Sequence, residues 1–301
     1  MYNEGLRQRG DVTIWLSHEV ENKWLADTFQ TSGGQPTYSD MTISVCLTLG
    51  MVFKQPLRQT QGLVGSLSRL MGLDVPVPDF STLPRRGAGL SMPEKSKGQR
   101  AGPIELVVDS TGLKIFGEGE WLEKKHKTKA KRKSWRKLHL GLDITTGDIV
   151  CSDLTKDDVG NPTALPELLD QIDAPVSRFL ADGAYDGYPT SDLLVDRFGE
   201  AIEIVIPPPI TAVLSLDAAL DLTPRDKHIA EILNKRRLAG QVSSGYNRWS
   251  RGEAQMIHWK RPIGPKLKTR IFLHQKTEVG IGKNILNKMN GLGRAKGEAG
   301  A

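Results

Sequence analysis

The order of apolar runs and helical periodicities between residues 104 and 206 most constrains how this chain can fold. Five segments predict strands because they are short and apolar or alternate in polarity: residues 104–109, 135–143, 149–154, 177–182 and 202–206. The turn sequence TTGD predicts a hairpin between the second and third of these strands. Residues 162–172 and 191–198 carry apolar side chains at helical spacing. The predicted fold is therefore a mixed α/β sheet flanked by helices.

Length and composition agree with a globular protein that has a buried core. The chain has 301 residues, of which 38% are hydrophobic and 25% are charged, and this length is sufficient for two domains. Cys46 and Cys151 stand alone, which excludes a disulfide scaffold and a cysteine zinc site and suits a reducing cytoplasm. The N-terminus is polar, and the longest apolar stretch, residues 43–53, is about half of a membrane span. We therefore expect neither a signal peptide nor a membrane protein.

The N-terminal third of the chain predicts helices. Ser39 is a suitable cap for a helix that continues to Met51, and a second helix fits residues 58–71 with Leu63, Leu67 and Leu70 on one stripe. The extended sequence VPVPD then leads to a short segment, residues 79–86, that ends in two arginines. This outline is typical of a helix-turn-helix DNA-binding motif. A small helical packing domain is the alternative, and Pro84 within the second helix weighs against the motif.

The net charge of +6 conceals a strong segregation of charge along the chain. Residues 124–137 carry nine Lys or Arg and no acid, whereas residues 141–221 carry three basic and sixteen acidic residues. Residues 260–301 are basic again, with ten Lys or Arg and two acids. An acidic region between two basic ones suits a metal site that must also accept a polyanion. For the lysine-rich segment, a solvated loop without a partner is the alternative.

Three acidic residues are candidates for a metal site. Asp109 and Asp182 each end an apolar run and precede turn residues, and the ends of neighbouring strands converge. Paired carboxylates repel each other unless a cation lies between them, and such hard oxygen ligands suit Mg²⁺. Glu253 is the third acid, on a predicted helix that places Tyr246 and Lys260 within about 60° of it. The alternatives are a turn or helix cap for each Asp and a surface ion pair for Glu253.

Four sequences in this order resemble the transposases of bacterial insertion sequences: VVDSTGLK, SWRKLHLGLD, LADGAYDG and SGYNRWSRGEAQMIHWK. The type is the DDE superfamily, and the subgroup resembles the insertion-sequence-five family. The likeness extends to VPVPDFSTLPRR upstream and to TPRDKHI and TEVGIGKNILNKM downstream, so it covers most of the chain. Each sequence alone is a weak signal, but the ordered set is highly specific.

The resemblance implies a ribonuclease-H-like fold in which Asp109, Asp182 and Glu253 form the metal-binding and catalytic triad. It implies two Mg²⁺ ions, with Mn²⁺ as a substitute, that serve strand cleavage at the element ends and strand transfer into target DNA. It further implies a DNA-binding domain and linker in residues 1–100, a catalytic domain in residues 101–301, and a homo-oligomer on DNA in the bacterial nucleoid. We expect DNA contacts from Arg85, Arg86, Lys124, Lys125, Lys127, Lys129, Lys131, Arg132, Lys133, Arg136, Lys137, Tyr246, Arg248 and Lys260.

The sequence departs from the family pattern at one position of the predicted helix. The family signature there is Tyr, two residues, Arg, three residues, Glu, six residues, Lys, and Trp249 occupies the Arg position. Arg248 and Arg251 point away from Glu253 by helical arithmetic, so neither replaces it. Pro84 is a second departure, because similar proteins usually carry a polar residue at that position. These two departures leave open a catalytically silent DNA-binding descendant of a transposase. A ribonuclease-H-like nuclease or resolvase, which cuts without joining, is the other alternative.

Overall fold

The chain folds into two compact units, one helical and one built on a sheet. The computed structural model describes residues 2–16, 18–27, 34–90, 102–115, 135–209, 211–215, 223, 225–227, 229–230 and 259–293. The helical unit comprises Met1–Ser96 together with Pro262–Ala301, and the sheet unit comprises Lys97–Arg261. Every helix in the described ranges is too short or too polar to cross a lipid bilayer.

The helical unit is formed by both ends of the sequence. Its N-terminal helices are α1 (Tyr2–Gln8), α2 (Val12–Trp15), α3 (Asp40–Val52), α4 (Leu57–Leu70) and α5 (Thr82–Gly87), with a 3-10 turn at His18–Lys23. A short strand, Lys266–Leu267, and a long helix, Phe272–Gly291, come from the C-terminal end. The C-terminal helix buries Ile281 and Ile285 in the same apolar cluster as Trp15, Trp24 and Ile43. Residues 262–301 thus lie with the N-terminal helices, whereas the sequence-based division grouped them with the sheet.

Helix α3 confirms the predicted cap, and in helix α4 one residue of the predicted apolar stripe is exposed. The Ser39 hydroxyl accepts the Thr42 N–H at 3.1 Å, as an N-cap does. In α4 the side chain of Leu70 is 83% exposed, and the buried positions are Thr60, Val64 and Ser68. Small side chains face the core because α3 and α4 approach closely. The Ser68 hydroxyl donates to the Val64 carbonyl within α4, and the Thr60 hydroxyl donates to the Pro56 carbonyl just before the helix.

The segment between α4 and α5 only partly resembles a helix-turn-helix. The eleven residues from 71 to 81 connect the two helices, whereas a standard motif uses three or four. Pro84 is compatible with α5 because it is the third helical residue, where the N–H has no partner within a helix. Arg86 ties α5 to the start of α3, since its guanidinium donates to the Tyr38 carbonyl at 3.0 Å and to the Asp40 carboxylate at 2.8 Å.

The sheet unit confirms the mixed α/β prediction. Five strands lie in the order β3-β2-β1-β4-β5: β1 (Ile104–Ile115), β2 (Trp135–Asp143), β3 (Ile149–Lys156), β4 (Val176–Ala181) and β5 (Glu203–Val205). Strands β1, β2 and β3 pair antiparallel, and β1, β4 and β5 pair parallel. Helices α6 (Asn161–Leu169) and α7 (Tyr188–Phe198) precede β4 and β5. This is the ribonuclease-H-like arrangement that the resemblance implies.

Strand β2 is buried on both faces, although its sequence alternates. Leu138, Leu140 and Leu142 share one face and are buried, as predicted. His139 and Gly141 on the opposite face are also buried. That face is covered because the core between the sheet and the helices includes Cys151 and the apolar side of α6. The alternation of polarity therefore located the strand correctly, but it did not show that the face with His139 and Gly141 is buried as well.

Candidate active site

Asp109 lies within strand β1, at the point where one of its two neighbouring strands ends. The last parallel pair between β1 and β4 is Val108 with Ala181, so Asp109 is the first β1 residue beyond it. The prediction that the strand ends at Asp109 is wrong, because β1 continues to Ile115. The strand continues there because β2 still pairs with it along this whole stretch. The Asp109 side chain is buried, and its Oδ1 atom accepts the Ser110 N–H at 2.7 Å.

Asp182 follows directly after β4, one residue beyond the last β1–β4 pair, which is also the position of Asp109 on β1. It caps a single 3-10 turn, Gly183–Tyr185, and its Oδ1 atom accepts the Ala184 N–H at 3.1 Å. One residue beyond the pair Val108–Ala181, the two aspartates occupy neighbouring positions, and adjacent strands are about 4.8 Å apart. The register therefore puts two of the three acids that the sequence singled out at corresponding positions of neighbouring strands.

The surroundings of Asp182 raise the cost of its negative charge. Burial raises the pKa of this carboxyl, while the Ala184 N–H and the positive charge of Lys137 partly offset that rise. The pKa of Tyr185 is also raised, first by burial and then by the negative charges of Asp182 and Asp109. The carboxylates of Asp109 and Asp182 thus both act on Tyr185, and their partial removal from water makes their negative charges costly. A divalent cation bound by these carboxylates would relieve that cost.

Comparison with known families identifies the chain. Residues 7–118 match a family model described as a transposase DDE domain, and residues 100–238 match a second model with the same description. Together the two matches extend from residue 7 to residue 238, across both aspartates. The chain belongs to the DDE transposases. Enzymes of this family cut and join DNA strands and use divalent metal ions, so the function expected from the resemblance is confirmed.

Two solved transposase structures also match this transposase at low similarity. One is a cryo-EM structure of the piggyBac transposase synaptic complex with hairpin DNA, which is 10% identical with a TM-score of 0.35 and covers 96% of this chain and 76% of that chain. The other is a crystal structure of the Mos1 mariner paired end complex with Mn, which is 11% identical with a TM-score of 0.24 and covers 94% of this chain and 86% of that chain. The family membership rests on the two family models.

The three acids predicted to hold the metal are only partly within the described residues. Among these residues, no group of three or more His, Cys, Asp or Glu could hold a metal ion. Asp109 and Asp182 supply two hard oxygen donors, which fits a divalent cation. Glu253, the third predicted ligand, lies outside the described residues, as does Trp249.

The predicted DNA contacts of the transposase fall into three groups. Arg85 is exposed on α5 and Lys260 is exposed at the end of the sheet unit, so both are accessible to DNA. Arg86 already donates hydrogen bonds within the helical unit. The Lys137 ammonium donates to the Val159 carbonyl at 2.8 Å, and its charge acts on Asp182. Arg136 is half-buried, and its guanidinium donates to the Trp135 carbonyl at 3.1 Å. The remaining predicted contacts lie outside the described residues: Lys124, Lys125, Lys127, Lys129, Lys131, Arg132, Lys133, Tyr246 and Arg248.

The structure also shows polar residues near the site that the sequence did not single out. Asp186, four residues after Asp182, forms an ion pair with Arg225, which is 39 residues away in sequence. The hydroxyl of Tyr185 is buried and has no hydrogen-bond partner among the described residues. Tyr185 and Asp186 both lie in the sequence LADGAYDG. The pairing of Asp186 with Arg225 leaves no periodic signal in the sequence because the two residues are 39 positions apart.

Proposed function

We propose that this transposase cleaves DNA at the ends of an insertion sequence of the insertion-sequence-five type and joins the freed 3′-hydroxyl to target DNA. Asp109, Asp182 and Glu253 bind two Mg²⁺ ions in this proposal, and Mn²⁺ can replace them. The observation that carries it is the register of β1 and β4, which supports neighbouring positions for the first two carboxylates.

The chemistry assigned to these residues is phosphoryl transfer without a protein nucleophile. When bound, the divalent ions lower the pKa of a coordinated water or hydroxyl and neutralise charge on the leaving oxygen. The carboxylates hold the ions in one place, so the contribution of the chain is positioning and charge neutralisation. Lys137, whose charge already acts on Asp182, is suited to meet a DNA phosphate at the same site.

The DNA contacts in this proposal come from the two basic regions of the sequence. Arg85 on the helical unit and the Lys and Arg residues of 124–137 neutralise phosphates, with the helical unit reading the element ends. The enzyme acts as a homo-oligomer that holds two element ends, in the bacterial cytoplasm at the nucleoid. We expect DNA affinity to fall steeply with salt because binding releases counterions.

Substitution of the two aspartates tests the proposed site. We expect Asp109→Asn and Asp182→Asn to reduce Mg²⁺-dependent nicking of element-end DNA to background, because each removes a charged ligand. DNA binding, measured by gel shift, should persist in both. Asp192→Asn, an exposed acid on α7, is the matched control and should nick like the parent. Nicking by either of the first two variants at the parental rate would refute the assignment.

The products of the reaction distinguish the transposase from a nuclease. A transposase yields target DNA joined to the element end, whereas a ribonuclease-H-like nuclease or resolvase cuts without joining. A parent protein that neither nicks nor joins but binds the ends would match the silent descendant that Trp249 motivates. In that case Trp249→Arg should restore nicking if the missing arginine is the cause.

A further inference from the structure

A buried ion pair holds the loop that follows Asp182. The guanidinium of Arg225 donates through Nε to Oδ1 of Asp186 and through Nη2 to Oδ2, each at 2.9 Å. The Asp186 side chain is 7% exposed and that of Arg225 is 14% exposed. Asp186 ends the 3-10 turn that Asp182 begins, so both ends of this turn carry a carboxylate with a defined partner. A bidentate Arg–carboxylate pair restricts orientation as well as distance.

The same guanidinium is itself held by its neighbours. It lies over the ring of Tyr188 at 4.7 Å from the ring centroid, and the Tyr188 hydroxyl is 3.4 Å from the Asp226 carboxylate. Asp226 and Thr223 form a reciprocal capping box, in which each backbone N–H is bonded to the side chain of the other residue. Arg225 lies between these two residues in sequence, so its backbone is fixed at the start of a helical turn.

We propose that Arg225 is a positioning residue for Asp182. Its pairing with Asp186 fixes the loop of residues 182–187 and thereby the direction in which the Asp182 carboxylate faces the metal site. The inference rests on the proposed function, since it takes Asp182 as a metal ligand. Metal ligands must be held to within about 0.5 Å of their working geometry. A ligand on a loop needs an additional contact to be held so closely, and the Arg225–Asp186 ion pair supplies one.

The position of Arg225 in the sequence adds a second consequence. Arg225 precedes Glu253 by 28 residues, so its ion pair with Asp186 links the loop that follows Asp182 to the part of the sequence that precedes Glu253.

Lysine at position 225 could supply the positive charge, but it lacks the planar guanidinium that bonds both oxygens of Asp186. Arginine is therefore required at this position for orientation and not only for charge.

The test compares Mn²⁺ binding by variants of the full-length chain. Arg225→Lys and Asp186→Asn should each raise, at least tenfold, the Mn²⁺ concentration that half-saturates strand cleavage, and weaken Mn²⁺ binding in calorimetry by a similar factor. Arg178→Gln is the matched control, because Arg178 on β4 pairs with Glu203 on β5 through an exposed contact. It should stay within twofold of the parent in both measurements.

A double variant separates positioning from fold stability. Removing one partner leaves a buried unpaired charge, whereas Asp186→Asn with Arg225→Met removes both charges and should keep the melting temperature near that of the parent. If the double variant still needs at least tenfold more Mn²⁺, positioning is supported. If the double variant binds Mn²⁺ as tightly as the parent does, the inference is overturned. If the double variant does not fold, Arg225→Lys takes its place, and parental Mn²⁺ binding in Arg225→Lys overturns the inference.

Asp109→Asn shows which of the two proposals has failed. If it abolishes nicking while the double variant binds Mn²⁺ as the parent does, the metal site stands and only the role of Arg225 is refuted. If Asp109→Asn nicks at the parental rate, the proposed function is refuted together with the inference that rests on it.

Discussion

Single acidic residues in this transposase behave differently because their surroundings differ. Burial raises the pKa of Asp182, and burial also raises the pKa of Glu278 in spite of hydrogen bonds from Lys268 and Thr269. For Asp226 burial acts in the same direction, but hydrogen bonds from Thr223 and Ser215 outweigh it and lower the pKa to about 2. Asp182 is a candidate metal ligand, whereas Asp226 belongs to a helix capping box, although Asp182, Glu278 and Asp226 are all buried or half-buried carboxylates.

The lowered pKa of Asp226 predicts a pH-dependent contribution to stability. Its pKa is lower in the folded chain than its usual value of 3.8, so its ionised form favours folding above about pH 4. This contribution is lost as the pH falls from about 4 to about 2. The measurement is the difference in free energy of unfolding between the parent and Asp226→Asn, which should shrink over that range. A difference that stays constant with pH would contradict the prediction.

The unpartnered hydroxyl of Tyr185 predicts a substitution that does not destabilise the protein. A buried hydroxyl without a partner costs about 1–3 kcal/mol, so Tyr185→Phe should leave the free energy of unfolding unchanged or raise it by about 1 kcal/mol. Tyr188→Phe is the matched control and should lower stability, because the Tyr188 hydroxyl contacts Asp226. Urea unfolding of both variants checks this. Destabilisation by Tyr185→Phe would indicate a partner for its hydroxyl.

Between elements, close approach depends on residues that have little or no side chain. A Cβ atom on Gly50 of α3 would lie 2.5 Å from Oγ1 of Thr60 on α4. In the sheet, a Cβ atom on Gly141 of β2 would overlap the sulfur of Cys151 on β3. These pairs set the spacing of α3 against α4 and the packing of one face of the sheet, so they limit which larger residues either position accepts.

Two glycines of the helical unit predict opposite effects of the same substitution. Gly50→Ala should lower the free energy of unfolding by about 1–3 kcal/mol, because the added methyl group forces α3 and α4 apart. Gly62→Ala, at an exposed site on α4 with no atom within 4 Å of the added methyl group, should raise it by up to about 1 kcal/mol. Chemical denaturation of both variants checks the signs. Equal effects would show that helix propensity, not packing, governs Gly50.

At the scale of the whole molecule, the two ends of the chain share one core. The C-terminal helix, Phe272–Gly291, contributes Ile281 and Ile285 to the apolar cluster that contains both N-terminal tryptophans, Trp15 and Trp24. The hydroxyl of Thr277 also donates to the Gly87 carbonyl at 2.6 Å. The sheet unit is inserted between these two parts of the sequence. The helical unit is therefore complete only when the helix Phe272–Gly291 has been made.

This shared core predicts that C-terminal substitutions destabilise the helical unit. Ile285→Ala should lower its free energy of unfolding by about 2–5 kcal/mol, because the side chain is 1% exposed. Leu273→Ala on the same helix, 50% exposed, should change it by less than about 0.5 kcal/mol. Urea unfolding followed by tryptophan fluorescence measures both. A small effect of Ile285→Ala would mean that the C-terminal helix is not part of the cooperative unit.

The sequence by itself determined the strands of the sheet unit, most of its helices and the candidate acids. The five strands, the hairpin and the Ser39 cap depend on periodicity and turn chemistry within a few residues, and their positions were predicted except for the C-terminal end of β1. The candidate acids Asp109 and Asp182 were found in the same way, because an acid at the end of an apolar run is visible locally. The motifs also implied the DDE family, which the family models confirm.

Only the tertiary structure decided what depends on contacts between distant parts of the chain. The extension of β1 past Asp109, the exposure of Leu70 and the location of the C-terminal helix each depend on which element packs alongside. The pairing of Asp186 with Arg225 is of the same kind, because two charges far apart in sequence leave no periodic pattern. A local pattern reports the preference of a segment, but burial and pairing are set by its neighbours, and these are known only once the chain has folded.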